Sequence, residues 1–202
     1  MVGTPKVPGR NMTRIAILGA AGMLGSDLMK VLNQFACTGF TRRDLDITDE
    51  NAVMSVLKGF DVVVNAAAYT AVDRAEVERD IAFAVNAEGP RNIARACAEH
   101  GQRLVHVSTD YVFDGKGSTP YPESHSTNPE SVYGASKAQG ERYIQEELGD
   151  SSIIVRTAWL YGGSGANFVK TILELSRSHD TITVVNDQIG QPTWSLDLAK
   201  LI

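Results

Sequence analysis

Cysteine is scarce in this chain, and so is any excess of basic charge. Only 2 cysteines, Cys37 and Cys97, occur among 202 residues. They lack metal-ligand spacing and a secretory context, so both are read as reduced and structural. No stretch approaches the roughly 18 consecutive apolar residues that a membrane span requires, and the first segment has no apolar core of the kind a secretory signal carries. A cytoplasmic location with no membrane partner is the resulting expectation. Lys and Arg number 19 against 24 Asp and Glu, a net charge of −5, which argues against a nucleic-acid partner held by phosphate neutralisation. An anionic ligand would have to be met by a local cluster. Residues 1–13 carry Gly, Pro and Lys without periodicity and are expected to be a disordered extension, with Met12 as the natural start. What remains, in a chain 43% hydrophobic and 21% charged, suffices for a substantial buried core.

Apolar runs and amphipathic segments alternate along the rest. Strands are expected at residues 14–18, near Phe40, and at 62–64, 104–107 and 153–155. Helices are expected at 23–32, 50–57 behind the Thr48-Asp49 cap signal, 80–97, 133–148 and 168–178. Continuous apolar strands separated by helices of ten or more residues imply βαβ units, hence an α/β fold with a doubly wound parallel sheet covered on both faces. Residues 111–131 and 162–167 have no periodicity, are rich in Gly, Pro and Ser, and follow strand ends, where ligands bind in such folds.

The run Gly19-Ala20-Ala21-Gly22-Met23-Leu24-Gly25 leaves the first strand and opens the first helix. That context gives a glycine motif its meaning: Gly19 allows the sharp turn, Gly22 lets backbone approach a pyrophosphate, and Gly25 lets the helix pack closely. The helix N-terminus adds free N–H groups and a positive dipole. After the second strand stands Thr41-Arg42-Arg43, where NAD enzymes often carry an acid and NADP enzymes an arginine. NADPH is therefore favoured over NADH, although Asp44 and Asp46 follow closely and paired arginines on a turn are often only solvated charge. Asp46-Ile47 is better placed for an adenine ring than for a ribose.

Downstream, Tyr133 and Lys137 stand four residues apart in Tyr133-Gly134-Ala135-Ser136-Lys137, after Ser108-Thr109-Asp110. On a helix such residues share a face with Cβ atoms about 5–6 Å apart, so a phenol and an ammonium can serve one bound molecule. A free phenol titrates near ~10 and needs a nearby cation to exchange protons at neutral pH. Lys137 can be that cation and can also hold a ribose, which is the arrangement of a hydride-transfer site. Taken alone such a pair is far more often an ordinary helix-surface pair; its surroundings reverse that.

From Arg14 onward the sequence resembles the dTDP-4-dehydrorhamnose reductase family of the extended short-chain dehydrogenase/reductase superfamily, whose fold is an NAD(P)-binding Rossmann fold. The glycine turn and Tyr133/Lys137 are superfamily-wide. Narrower are Asn65-Ala66-Ala67-Ala68-Tyr69-Thr70-Ala71-Val72-Asp73, Ser108 to Gly115, and Asp187-Gln188-Ile189-Gly190-Gln191-Pro192-Thr193, with Asn86 and Arg156 to Tyr161 also matching. The resemblance implies reduction by NAD(P)H of the C4 ketone of dTDP-4-dehydro-L-rhamnose. It implies Tyr133 as proton donor, Lys137 holding the nicotinamide ribose, and Thr109, rather than neighbouring Ser108, tuning the phenol. Gly22, Met23 and Leu24 would meet the pyrophosphate, Asp46 and Ile47 the adenosine, and Ala68, Tyr69 and Thr70 the nicotinamide-side ribose and phosphate. Thr109, Asp110 and Trp159 would touch the deoxysugar nucleotide, with Val72, Tyr111 and Asn167 as weaker candidates; core packing is the plain alternative for Trp159.

On this reading residues 14–160 form the cofactor domain and residues 161–202 begin a substrate-binding region that family members continue past Ile202. The family's metal ion at a dimer contact depends partly on that continuation, so Mg2+ is not supported and no metal is expected; a homodimer is the assembly considered. Two other classes share the scaffold: a non-catalytic NADP-binding regulatory subunit, similar to the beta subunit of methionine adenosyltransferase, and a reductase or epimerase of another nucleotide sugar.

Overall fold

The structure, a computed structural model, describes residues 12–202; residues 1–11 of the expected extension lie outside the described residues. The apolar runs become β1 (Arg14–Leu18), β2 (Ala36–Phe40), β3 (Val62–Asn65), β4 (Arg103–Thr109) and β5 (Ser152–Thr157), all parallel in the order β2-β1-β3-β4-β5. The chain thus winds outward from β1 in one direction and then returns to wind in the other.

Alternation along β1 divides the core. Ala16 and Leu18 face Val53 of α2 (Glu50–Val56), Ile93 and Cys97 of α5 (Gly89–His100) and Ile144 of α6 (Val132–Leu148). Ile15 and Ile17 face Leu24 and Leu28 of α1 (Met23–Val31) and Leu198 of α8 (Ser195–Leu201). Burying each such side chain contributes about 1.5–3 kcal/mol. The expected cap is present, Asp49 accepting from the Ala52 N–H at 3.0 Å, and Ser131 adds another by accepting from the Gly134 N–H at 3.0 Å, each satisfying an otherwise orphaned donor. Across the second face, the buried Asp27 carboxylate accepts from the Ser195 hydroxyl at 2.6 Å and ties α1 to α8.

The structure differs from the expected elements in four respects. A short helix α3 (Val72–Ala75) and a two-stranded parallel ribbon of β6 (Leu160–Tyr161) and β7 (Thr193–Trp194) add to the pattern. The helix α7 (Phe168–Leu175) stops three residues short of the expected end and buries none of its residues. Finally, the helix expected at 80–97 is α4 (Arg79–Phe83), one wider π turn (Ala84–Glu88) and α5. Pro90 has no N–H, so the ordinary bond back to the Asn86 carbonyl cannot form. That carbonyl meets α6 instead: a Cβ on Gly140 would stand 2.2 Å from the Asn86 oxygen.

Gly140→Ala is accordingly expected to lower stability by about 1–3 kcal/mol, the usual cost of overpacking. Gly163→Ala, where no atom lies within 4 Å of the new Cβ, should stay within about 0.5 kcal/mol of wild type. Urea denaturation of both variants measures the contrast.

Candidate active site at the carboxyl ends of β1, β3 and β4

Connections leaving β1 and β3 depart to opposite faces of the sheet, which opens a crevice at their carboxyl ends. Gly19 closes its floor at φ 80°, and a Cβ there would sit 2.8 Å from the Ala67 nitrogen; only glycine lets the two strand ends pass so closely. Gly25 presses α1 onto the turn, its would-be Cβ 2.2 Å from the Gly19 carbonyl oxygen. At the start of α1 the N-cap Gly22 makes no side-chain bond and the first turn holds no acid. The N–H groups there lack intrahelical acceptors and form the positive end of the helix dipole.

The cleft above this turn measures about 290 Å³, and Gly19, Gly22, Arg42, Asp46, Ile47, Ala68 and Tyr69 line it. Met23, Leu24 and Thr70 stand outside that lining. The Leu24 side chain is in the core, which leaves its backbone N–H for any ligand. The Asp46 carboxylate accepts from the Thr48 N–H at 3.0 Å and hydroxyl at 2.8 Å. These bonds, with the charge of exposed Arg42, hold it below the usual carboxylate range.

Tyr133 and Lys137 are both buried, Lys137 at only 2% exposure, so they are not a surface pair. Burial pushes the Tyr133 phenol up; the Thr109 hydroxyl pulls it down, while Asp110 and Tyr111 push it further up. Lys137 turns its head group towards β4, with Nζ 2.7 Å from the Val107 carbonyl oxygen and 3.2 Å from His106 Nε2. Desolvation lowers its ammonium to about 8, against a smaller opposing effect of the Glu141 carboxylate one turn further on. The cation expected to ease the Tyr133 phenol is thus bound to strand backbone here, and Thr109 is the group that eases it.

Thr109 ends β4, donating to Asp110 Oδ1 at 3.1 Å and accepting from the Tyr111 N–H at 3.2 Å. Its neighbour Ser108 points its hydroxyl into the interior without a partner. Burial raises the Asp110 carboxyl, and the Tyr111 ring meets the Tyr133 ring edge-on at 5.5 Å. Trp159 is 45% exposed beyond β5, with φ 45°, a conformation uncommon for such a residue. It is not a core residue. Asn167 is occupied as the cap of α7, accepting from the Lys170 N–H at 3.1 Å.

The family described as the RmlD substrate binding domain matches residues 12–202. A Streptomyces griseus dTDP-4-dehydrorhamnose reductase is 52% identical over 92% of this chain and 62% of its own length. A solved Bacillus anthracis dTDP-4-dehydrorhamnose reductase in complex with NADP superposes with TM-score 0.91 at 42% identity, covering 95% of this chain and 69% of that one. The chain belongs to the dTDP-4-dehydrorhamnose reductase family. A further relative, a Streptomyces niveus dTDP-4-keto-6-deoxy-D-glucose reductase, is 45% identical over 94% of this chain and 67% of its own length. The chain spans about two thirds of the length of these family members, and the family match over residues 12–202 takes in the crevice and Tyr133.

Sequence reasoning named Asn65, Asn86 and Arg156 only as residues that match the family, passed over His106 and Glu141, and gave none of them a role in holding the site. Buried Asn86 accepts from the Tyr69 N–H at 2.8 Å and donates to the Tyr69 carbonyl at 3.0 Å and the Ser136 hydroxyl at 3.1 Å. One side chain thereby fixes the crevice wall to α6. Glu141 is clasped by Arg156 through contacts of 3.0 and 2.6 Å, and His106 bridges Asn65 and Lys137. The available signal for His106 was a lone polar residue inside the apolar run of β4.

Because the folded chain holds Lys137 near 8 against an ordinary 10.5, its burial costs stability wherever the ammonium dominates. The sign follows: the penalty is full below pH 8 and is relieved as pH rises towards 10.5, and that gap corresponds to roughly 3 kcal/mol. Lys137→Met should stabilise the ligand-free protein at pH 7 by about 1–3 kcal/mol, with the gain shrinking through pH 8–10. Thermal melts across that range measure it; a gain that grows with pH contradicts the account.

Proposed function

We propose that this chain carries the cofactor-binding and catalytic part of an NAD(P)H-dependent reductase that converts the C4 ketone of dTDP-4-dehydro-L-rhamnose to the alcohol of dTDP-L-rhamnose. The observation that carries the reading is the gathering of Tyr133, Thr109 and Lys137 at the end of β4, beside a glycine-floored crevice. The activity for which the Streptomyces griseus relative is named and the NADP bound to the Bacillus anthracis relative support it. The crevice fits a dinucleotide: its floor has no room for a Cβ at Gly19, and the start of α1 offers unpaired N–H groups with no competing acid. On this reading the backbone at Gly22, Met23 and Leu24 takes the pyrophosphate, Asp46 and Ile47 the adenosine, and Arg42 a 2′-phosphate. Ala68, Tyr69 and Thr70 take the nicotinamide-side ribose and phosphate.

When bound, the reduced nicotinamide supplies the hydride. The protein supplies the proton and the dry setting. Burial keeps the Tyr133 phenol protonated through the neutral range, so it is ready to donate to the carbonyl oxygen as negative charge develops there. The Thr109 hydroxyl and the Lys137 ammonium favour the phenolate that remains. Asp110, whose charge bears on Tyr133, and Trp159, exposed beyond β5, are assigned to the deoxysugar nucleotide. Residues 14–160 are then the cofactor domain, residues from 161 onward the start of the substrate-facing part, the cytoplasm the location and a homodimer the assembly. A second reading, a reductase of another dTDP-4-keto sugar, draws on the Streptomyces niveus relative, and a panel of such sugars separates the two.

Two measurements test the reading on the intact gene product. With dTDP-4-dehydro-L-rhamnose, Tyr133→Phe should cut the rate of NADPH consumption by about 10²–10⁴-fold while NADPH affinity changes little. Normal turnover by that variant overturns the assignment, and absence of turnover by wild type with cofactor still bound favours a regulatory subunit. Arg42→Ala should weaken NADPH binding about tenfold or more, the scale of a charged hydrogen bond, and leave NADH binding nearly unchanged in equilibrium titrations.

A further inference from the structure

Lys137 is buried against two uncharged partners, the Val107 carbonyl and the His106 ring. Which atom of that ring carries a proton follows from the chain of bonds behind it. Asn65 Oδ1 accepts from the Ala67 N–H at 3.0 Å. A backbone amide only donates, so this contact orients the side chain and leaves Asn65 Nδ2 as the group 3.0 Å from His106 Nδ1. Nδ2 also only donates. His106 Nδ1 must therefore be the bare, accepting nitrogen.

His106 has no exposed surface, and its desolvation keeps the ring neutral. Its single proton then sits on Nε2, aimed at Lys137 Nζ 3.2 Å away. An ammonium offers that N–H no acceptor, whereas a neutral amine offers a lone pair. We propose that His106 is a positioning residue that disfavours the ammonium of Lys137 for as long as its head group faces the ring, so that turning the head group off His106 relieves the ammonium. The other charged groups around Lys137 are few. Glu141, one turn on along α6, opposes the effect but is engaged by Arg156 of β5, and Asp110 bears on Tyr133 instead.

The protonation pattern is a property of the chain without ligand. Its link to turnover rests on the reductase reading, in which ribose hydroxyls would give the turned ammonium its new acceptors and ligand binding would take up a proton.

The test is nitrogen-15 NMR of the ligand-free protein labelled in histidine and lysine, with no turnover required. The expected result is His106 protonated on Nε2 alone from pH 6 to 9. His106→Gln, whose amide can present a carbonyl to Lys137, should raise the Lys137 titration midpoint by about one pH unit, a tenfold change in its equilibrium. Asn65→Asp keeps the shape but gives His106 Nδ1 an acceptor, so the ring proton should move to Nδ1 and the Lys137 midpoint should rise further. This second variant keeps the proposal open to refutation if His106→Gln does not fold. A proton on Nδ1 in wild type, or a Lys137 midpoint unmoved in a folded variant, overturns the proposal. A void packing role for His106 would alter melting temperature in the variants without moving either signal.

Discussion

A lysine head group sealed between α6 and β4 with no carboxylate in contact is the constraint around which the site is organised. Water is excluded there because α6 comes very close to its neighbours: glycine at 134 clears the Tyr111 carbonyl and glycine at 140 clears Asn86, each position leaving only 2.2 Å for a Cβ. Larger residues would lift the helix, admit water and return Lys137 to ordinary basicity. The same approach desolvates Tyr133 and holds its phenol protonated. Stability given up at one buried amine is offset by the two hydrophobic layers that Ala16 and Leu18, and Ile15 and Ile17, form on either side of β1.

Two kinds of electrostatics meet across the crevice. On the α1 side, an uncapped helix start and exposed Arg42 make a positive, solvent-facing rim suited to phosphate. On the α6 side the groups are buried and their protonation is set by neighbours, with Thr109 and Asp110 pulling the phenol in opposite directions. Asn86 joins the sides mechanically. It is free to do so because the π turn, imposed where Pro90 cannot donate, carries it towards the Tyr69 backbone. Such turns recur at functional sites for this reason: the irregular carbonyls and side chains become available.

Much of this was legible in advance because it depends on local rules. The apolar runs gave the parallel strands to within a few residues, Asp49 caps the helix it precedes, and the glycine run placed the crevice where β1 ends. The unforeseen features depend on distant partners. Pro90 within the expected helix 80–97 was a visible signal whose consequence, the π turn, depends on the close approach of α6, where Gly140 leaves room for the freed Asn86 carbonyl. Asn167 resembled a ligand contact and is occupied by the N-terminus of α7.

The sequence by itself determined the alternation of strands and helices, the glycine turn, and the spacing that puts a phenol and an amine on one helix face, since periodicity and residue type act over a few positions. Only the tertiary structure decided which way Lys137 points and what it meets. Asn65, His106 and Lys137 are 41 and 31 positions apart along the chain, and the direction of hydrogen bonding between them originates in one backbone N–H at the end of β3. No local pattern encodes that direction, because it exists only once three separate elements are packed into a space too small for water.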